Sequence, residues 1–248
     1  MIPLSDELPT VRTPWMTYAI LSAMLLVWIF VQGAGFDQQA LAASVCNLGM
    51  VPGEITHMAP IGEAVPLGRG MSCAVDNDPI NILTPLISMF LHGGWGHILG
   101  NALFFWVFGN NIEDSLGHFR FLVFYLVCGL AAAAAHIIAQ PASPLPTVGA
   151  SGAISGILGA YLVLYPRVRV RMLFFFIIFF KVIPIPAWLV LIWWFFWQLV
   201  AALPEMKNGA DLTGGVAVWA HLGGFVTGVL LVKFFENRSL VVRRTSGV

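Results

Sequence analysis

Charge is what this chain has least of. Only 10% of its 248 residues are Asp, Glu, Lys or Arg, whereas 58% are hydrophobic; a soluble domain carries roughly a quarter charged residues. That shortage excludes a soluble globular protein. Twelve basic and twelve acidic side chains cancel to zero net charge, and no basic cluster is large enough to argue for a nucleic acid partner. Internal repeats, a low-complexity tail and a soluble domain are also missing. The leader before the first apolar run holds a single arginine, Arg12, so no cleaved signal or transit peptide is expected.

In place of charge there are nineteen Phe, nine Trp and repeated long apolar runs, the pattern of an all-α polytopic membrane protein. The runs predict one membrane domain over residues 1–248 with six spans, at about 15–32, 95–112, 119–139, 151–165, 187–203 and 216–235. A polar, Gly/Pro-rich outer loop covers 33–81, long enough to be functional or lid-like. Ile82–Leu91, interrupted by Pro85, and the Phe-rich run Met172–Phe180 are too short to cross as helices and are read as interfacial. Glu205–Gly215 reads as a polar loop. With the N-terminus inside, the inner segments hold Arg12, Arg120, Arg167, Arg169, Arg171, Lys181, Lys233, Arg238, Arg243 and Arg244, and the outer ones only Arg69 and Lys207. This positive-inside asymmetry fixes the orientation, with both termini inside. A seventh span at Met172–Phe180 would weaken it.

The fourth span is the unusual one. Pro141, Pro144 and Pro146 break any helix before Gly149-Ala150-Ser151-Gly152, and Pro166 ends the run that follows. A helix between these limits rises about 22 Å, short of the roughly 30 Å hydrocarbon core. Its N-terminus, carrying Ser151, is therefore expected to be recessed below one membrane face. Non-helical backbone at that depth survives where protein buries it or where it lines a wet cavity.

Spans two, four and six run in the same direction, which puts His97, Asn101, Ser151 and His221 at similar depth toward the outer face. Polar side chains inside a membrane are costly and are functional candidates. His97 and Asn101 share a helix face at spacing four. Gly152 and Gly156 in span four, and Gly224 and Gly228 in span six, form small-residue stripes that allow close helix packing. That packing would bring Ser151 within reach of His221. Serine plus histidine is the minimum for nucleophilic catalysis, with the imidazole taking the hydroxyl proton. His97, the Asn101 amide and the Ser151 N–H are donors of the kind an oxyanion needs. No Asp or Glu lies within the spans to orient His221, so a dyad is expected rather than a triad.

Taken singly, each residue has a plainer reading. A lone serine in a membrane helix usually packs against its own backbone, and a lone buried histidine is usually structural or part of a proton path. His92 is expected to be a structural support, His118 and His136 to be interfacial, and Trp188, Trp193, Trp194 and Trp197 to face lipid or the interface. The joint depth and chemistry of four residues favour an enzyme.

At these residues the chain resembles the rhomboid family of intramembrane serine proteases. Gly149-Ala150-Ser151-Gly152 is similar to the family's GxSG motif, and Ala220-His221-Leu222-Gly223-Gly224 with Gly228 to its AHxxGxxxG motif. His92, His97 and Asn101 match the HxxxxHxxxN pattern of its second span, and Glu113 matches a common acidic position. The resemblance implies a six-helix bundle in which Ser151 is the nucleophile and His221 the base, with His97, Asn101 and the Ser151 N–H as oxyanion hole. It implies cleavage of single-span membrane proteins near the outer membrane face, with no metal or cofactor. The long loop would be the family's partly embedded lateral structure, and span five a candidate lateral gate. Two positions depart from the pattern. Ser155 stands where many relatives stack an aromatic ring on the histidine, and no Trp-Arg pair is visible in the first loop to give Arg69 a role.

Two other functions compete with proteolysis. A pseudoprotease on the same fold would hold unstable spans without cutting them, and a transporter would use His97, His136 and His221 as a proton path. The expected location is a bacterial plasma membrane, with the site opening outward and the lipid bilayer and membrane-spanning substrates as partners. Cys46 and Cys73 share the outer loop, so an oxidising outer side would let them bridge, and free thiols are the alternative.

Overall fold

The computed structural model describes residues 2–68, 71–176, 179–208, 217–237 and 239–240. In chain order it begins with strand β1 (Ile2–Asp6) and helix α1 (Trp15–Phe30). Next come helices α2 (Gln38–Leu48) and α3 (Pro52–Ile55), the hairpin β2 (Ala64–Gly68) and β3 (Met71–Ala74), and the short helix α4 (Thr84–Ile87). The long helices α5 (Trp95–Leu116), α6 (His118–Ala139) and α7 (Ser151–Leu164) follow. Strands β4 (Arg169–Phe176) and β5 (Phe179–Pro186) lead to α8 (Ala187–Asn208) and α9 (Val218–Phe235).

Helices dominate. Among the described residues, α6 and α9 are each long and apolar enough to cross a membrane, and a third span arises if the segment Pro79–Phe90 is joined to α5 across its 72° bend. Helices Trp15–Phe30, Ser151–Leu164 and Ala187–Leu203 are apolar but shorter. The 14 residues of α7 rise about 21 Å.

Helix α9 packs on both α6 and α7 through glycine. A Cβ on Gly223 would sit 2.3 Å from the Ala135 Cβ of α6. Cβ atoms on Gly224 and Gly228 would sit 2.0 and 1.9 Å from the carbonyl oxygens of Gly152 and Gly156 in α7. Such approach is possible only without side chains. Large side chains fill the centre, with Phe105, Phe108, Phe121, Phe124, Tyr125 and Tyr161 fully buried.

Two sheets correct the all-α expectation. Residues 172–176 and 179–180 of the Phe-rich run lie on β4 and β5, which pair antiparallel, and β1 pairs antiparallel with β4 in the order β1-β4-β5. Consecutive Val and Phe favour extended structure here. Pro3, Pro184 and Pro186 all lie on the two outer strands, where a missing N–H is tolerated, and β4 between them has no proline. The outer loop is likewise structured. It holds α2, α3 and the β2–β3 hairpin, and a disulfide joins Cys46 of α2 to Cys73 of β3.

The C-terminal end of α5 anchors the chain before α1. Pro14 gives α1 no side-chain cap. Instead the buried Glu113 carboxylate accepts the backbone N–H groups of Met16 (2.9 Å) and Thr17 (2.7 Å) and the Thr17 hydroxyl, filling the bare helix N-terminus with negative charge. Its neighbour Asp114 accepts from the Val11 N–H and pairs with Arg12 at 3.1 Å. His118, expected at the interface, meets Glu113 through Nδ1.

Helix α8 continues through Glu205 to Asn208, where a polar loop was expected; residues 209–215 of that loop, and residue 216 at the start of the sixth run, lie outside the described residues. So do Arg69, Arg238, Arg243 and Arg244 from the charge count.

Candidate active site

Ser151 is the first residue of α7, and the turn that delivers it is built around Gly149. That glycine has φ +127°, a left-handed conformation, and a Cβ there would lie 2.6 Å from His97 Nε2. Its N–H donates to the Ser88 carbonyl (2.9 Å), and Met50 and Thr147 pair as an isolated β-bridge, so the segment before α7 is tied at two points. His136, expected at the interface, is buried and meets the Thr147 hydroxyl through Nε2 at 3.2 Å.

Opposite this turn α9 presents His221, which is 8% exposed. Its Nε2 lies 2.8 Å from Ser151 Oγ, the contact that the glycine stripes of α7 and α9 make possible. Its Nδ1 lies 2.8 Å from Gln198 Oε1 on α8. The Trp194 ring, on the same helix, stands 5.8 Å from the imidazole at 39°. Ser155 is elsewhere engaged: its hydroxyl donates to the Ser151 carbonyl at 2.6 Å. The ring beside the histidine thus comes from α8 and not from α7.

His97 and Asn101, on α5, face Gly149, with His97 Nε2 and Asn101 Nδ2 near its Cα hydrogens. The Gly93 N–H donates to His97 Nδ1 (3.3 Å), so in the neutral ring the proton sits on Nε2, on the side of Gly149. Asn101 Nδ2 is buried without a partner among the described residues. A buried amide donor left unpaired is costly, and it is available to an incoming oxygen. His92 packs edge-on against His97, ring centroids 5.2 Å apart. The fully buried Gln32 holds its backbone, accepting from His92 N–H (2.8 Å) and donating to its carbonyl (2.9 Å).

Ser151, His221, His97, Asn101 and Trp194 line one cavity of about 1120 Å³. The four polar candidates from the sequence are therefore in one place. Trp194, expected to face lipid or the interface, instead lies beside His221 and lines the cavity, and Gln198 and Gln32 were missed. Gln198 had a signal: it is the lone amide in the apolar run Ala187–Leu203, and such residues are functional candidates.

The family model described as "Rhomboid domain" matches residues 79–238. "Rhomboid-like protease 5" of Toxoplasma gondii is 35% identical over 166 residues, 64% of this chain and 17% of that protein. "Rhomboid protease GluP" of Bacillus subtilis is 42% identical over 81 residues, 33% of this chain and 15% of that protein. "Rhomboid protein 1, mitochondrial" of Saccharomyces cerevisiae is 30% identical over 150 residues, covering 58% and 39%. The chain thus spans well under half the length of these relatives. As the family match takes in well over half of its residues, the chain belongs to the rhomboid family.

Proposed function

We propose that this protein is an intramembrane serine endopeptidase that cleaves single-span membrane proteins near the outer membrane face through a Ser151–His221 dyad. The observation that carries the reading is the 2.8 Å contact between Ser151 Oγ and His221 Nε2 inside a large cavity. Ser151 Oγ attacks the scissile carbonyl as His221 Nε2 takes its proton. The C–N bond then breaks, the imidazole returns the proton to the leaving amine, and water releases the acyl group by the same steps. The oxyanion is met by the Ser151 N–H, Asn101 Nδ2 and His97 Nε2–H. Preorganised donors of this kind supply much of the rate in acyl transfer.

The reading takes α1, α5, α6, α7, α8 and α9 as six spans, with α7 the short fourth, recessed so that Ser151 lies below the outer face. Basic residues concentrated on the other side support that orientation. A substrate helix must unwind locally at the cut, because a helical carbonyl is already hydrogen-bonded.

The test needs no substrate. Purified protein in mild detergent is reacted with a fluorophosphonate probe beside Ser151→Ala and His221→Ala. Labelling of wild type that disappears in both variants is expected. Labelling that survives Ser151→Ala would show that another nucleophile reacts, and a folded wild type that does not label would move the protein to the pseudoproteases.

A further inference from the structure

We propose that Gln198 is a positioning residue for the base: its side-chain oxygen holds the Nδ1–H of His221, so that helix α8 sets the tautomer and orientation of the imidazole. The inference rests on the reading of Ser151 and His221 as nucleophile and base.

A neutral imidazole carries one N–H, and Nε2 can accept the Ser151 proton only when that hydrogen is on Nδ1. His221 has Ser151 Oγ at 2.8 Å on its Nε2 side and Gln198 Oε1 at 2.8 Å on its Nδ1 side. The two contacts specify the productive tautomer together. In a triad a carboxylate does this work. An amide fits an apolar environment better, because it accepts the same hydrogen bond without a charge to bury.

Gln198 and Trp194 are four residues apart and so share one face of α8. Trp194 lies beside the ring of His221 while Gln198 holds its edge. On the neighbouring position Phe195 stacks on Phe225 of α9 with centroids 4.7 Å apart. The opposite face, with Trp193, Phe196 and Trp197, is exposed. Thus α8 meets α9 through side chains, whereas α7 and α9 touch backbone to backbone. An outward movement of α8 would remove the acceptor and the ring together and leave Ser151 and His221 in contact with the tautomer no longer set. Access through that helix and readiness of the base are linked by one side chain.

Nuclear magnetic resonance of protein labelled with nitrogen-15 histidine reads the tautomer directly. Wild-type His221 is expected as the Nδ1–H form, and Gln198→Met, of similar length but without the acceptor, as a mixture. The maximal labelling rate with the fluorophosphonate probe should fall about ten- to a hundredfold in Gln198→Met, with the probe's half-saturating concentration little changed, since a hydrogen bond to a group that becomes charged is lost. Gln198→Glu keeps the acceptor and should stay within about tenfold of wild type. The acidic limb of its pH–rate profile should move to higher pH, because a carboxylate favours the protonated ring. A merely structural role would not produce that shift. Leu199→Ala, on the exposed side, should behave as wild type. An Nε2–H tautomer in wild type, or Gln198→Met labelling with the wild-type rate and pH profile, overturns the proposal alone. If Gln198→Met fails to fold, the wild-type tautomer and the Gln198→Glu profile still decide. Wild type without Ser151-dependent labelling sinks the underlying protease reading, and the positioning role with it.

Discussion

Among the described residues, Asn101 Nδ2 is a buried amide donor without a partner, beside Gly149; in the function proposed above it meets the oxyanion. In Asn101→Ala the fluorophosphonate labelling rate should fall about 10²–10³-fold, the usual cost of one oxyanion donor, with the melting temperature almost unchanged. That Ser151, His221, His97 and Asn101 converge on one cavity was legible in the sequence because polar residues stand out in apolar runs. The ring partner of His221 was not. Ser155 showed only that a ring was missing from α7, and sequence spacing does not say which neighbouring helix supplies Trp194. Gln198 was legible in principle, but a search for a carboxylate passed over an amide.

At the scale of elements, the α7–α9 contact decides whether the serine and histidine meet. A methyl group on Gly228 would lie 1.9 Å from the Gly156 carbonyl oxygen, so the helices must separate. Gly228→Ala should lower stability by about 3 kcal/mol, read as a lower thermal midpoint, and should lower labelling further than unfolding explains. Helix α3 offers a pH-dependent case. Glu54 is buried, and burial raises its carboxyl above the ordinary range; the neighbouring Asp76 charge adds to this, although the Asp76 N–H donating to Glu54 opposes it. The native state therefore holds the proton more tightly than the unfolded chain, and stability falls as pH rises from about 4.3 through the folded value. Glu54→Gln keeps the acceptor and loses the charge. Its thermal midpoint should match wild type near pH 4 and exceed it at pH 7. The long apolar helices were legible from hydropathy, whereas α2, α3 and the strands were not: a short run of Phe and Val has no period that separates an interfacial coil from a hairpin, and β1 pairs with β4 from the far end of the sequence.

For the molecule as a whole, the disulfide ties the outer loop to itself across 27 residues of sequence. Closing a loop of that size stabilises by about 3–4 kcal/mol in the chain-entropy account. Cys73→Ser should therefore lose amide-exchange protection across α2 and the β2–β3 hairpin, while α6, α7 and α9 keep theirs. A mass spectrum of the intact protein that accepts a thiol reagent at both cysteines without prior reduction would contradict the bridge. The sequence left the pairing open because proximity of Cys46 and Cys73 depends on how α2 packs against β3.

The ties made by β1 and Glu113 also set an order of events during synthesis. Ile2–Asp6 leaves the ribosome long before its partner Arg169–Phe176 exists, and at typical translation rates the interval is roughly ten to thirty seconds. Helix α1 likewise waits for Glu113 to fill its N-terminus. For that time a nascent chain displays an unpaired strand and bare helix N–H groups at one end of the future bundle, the kind of exposure that chaperones exist to cover.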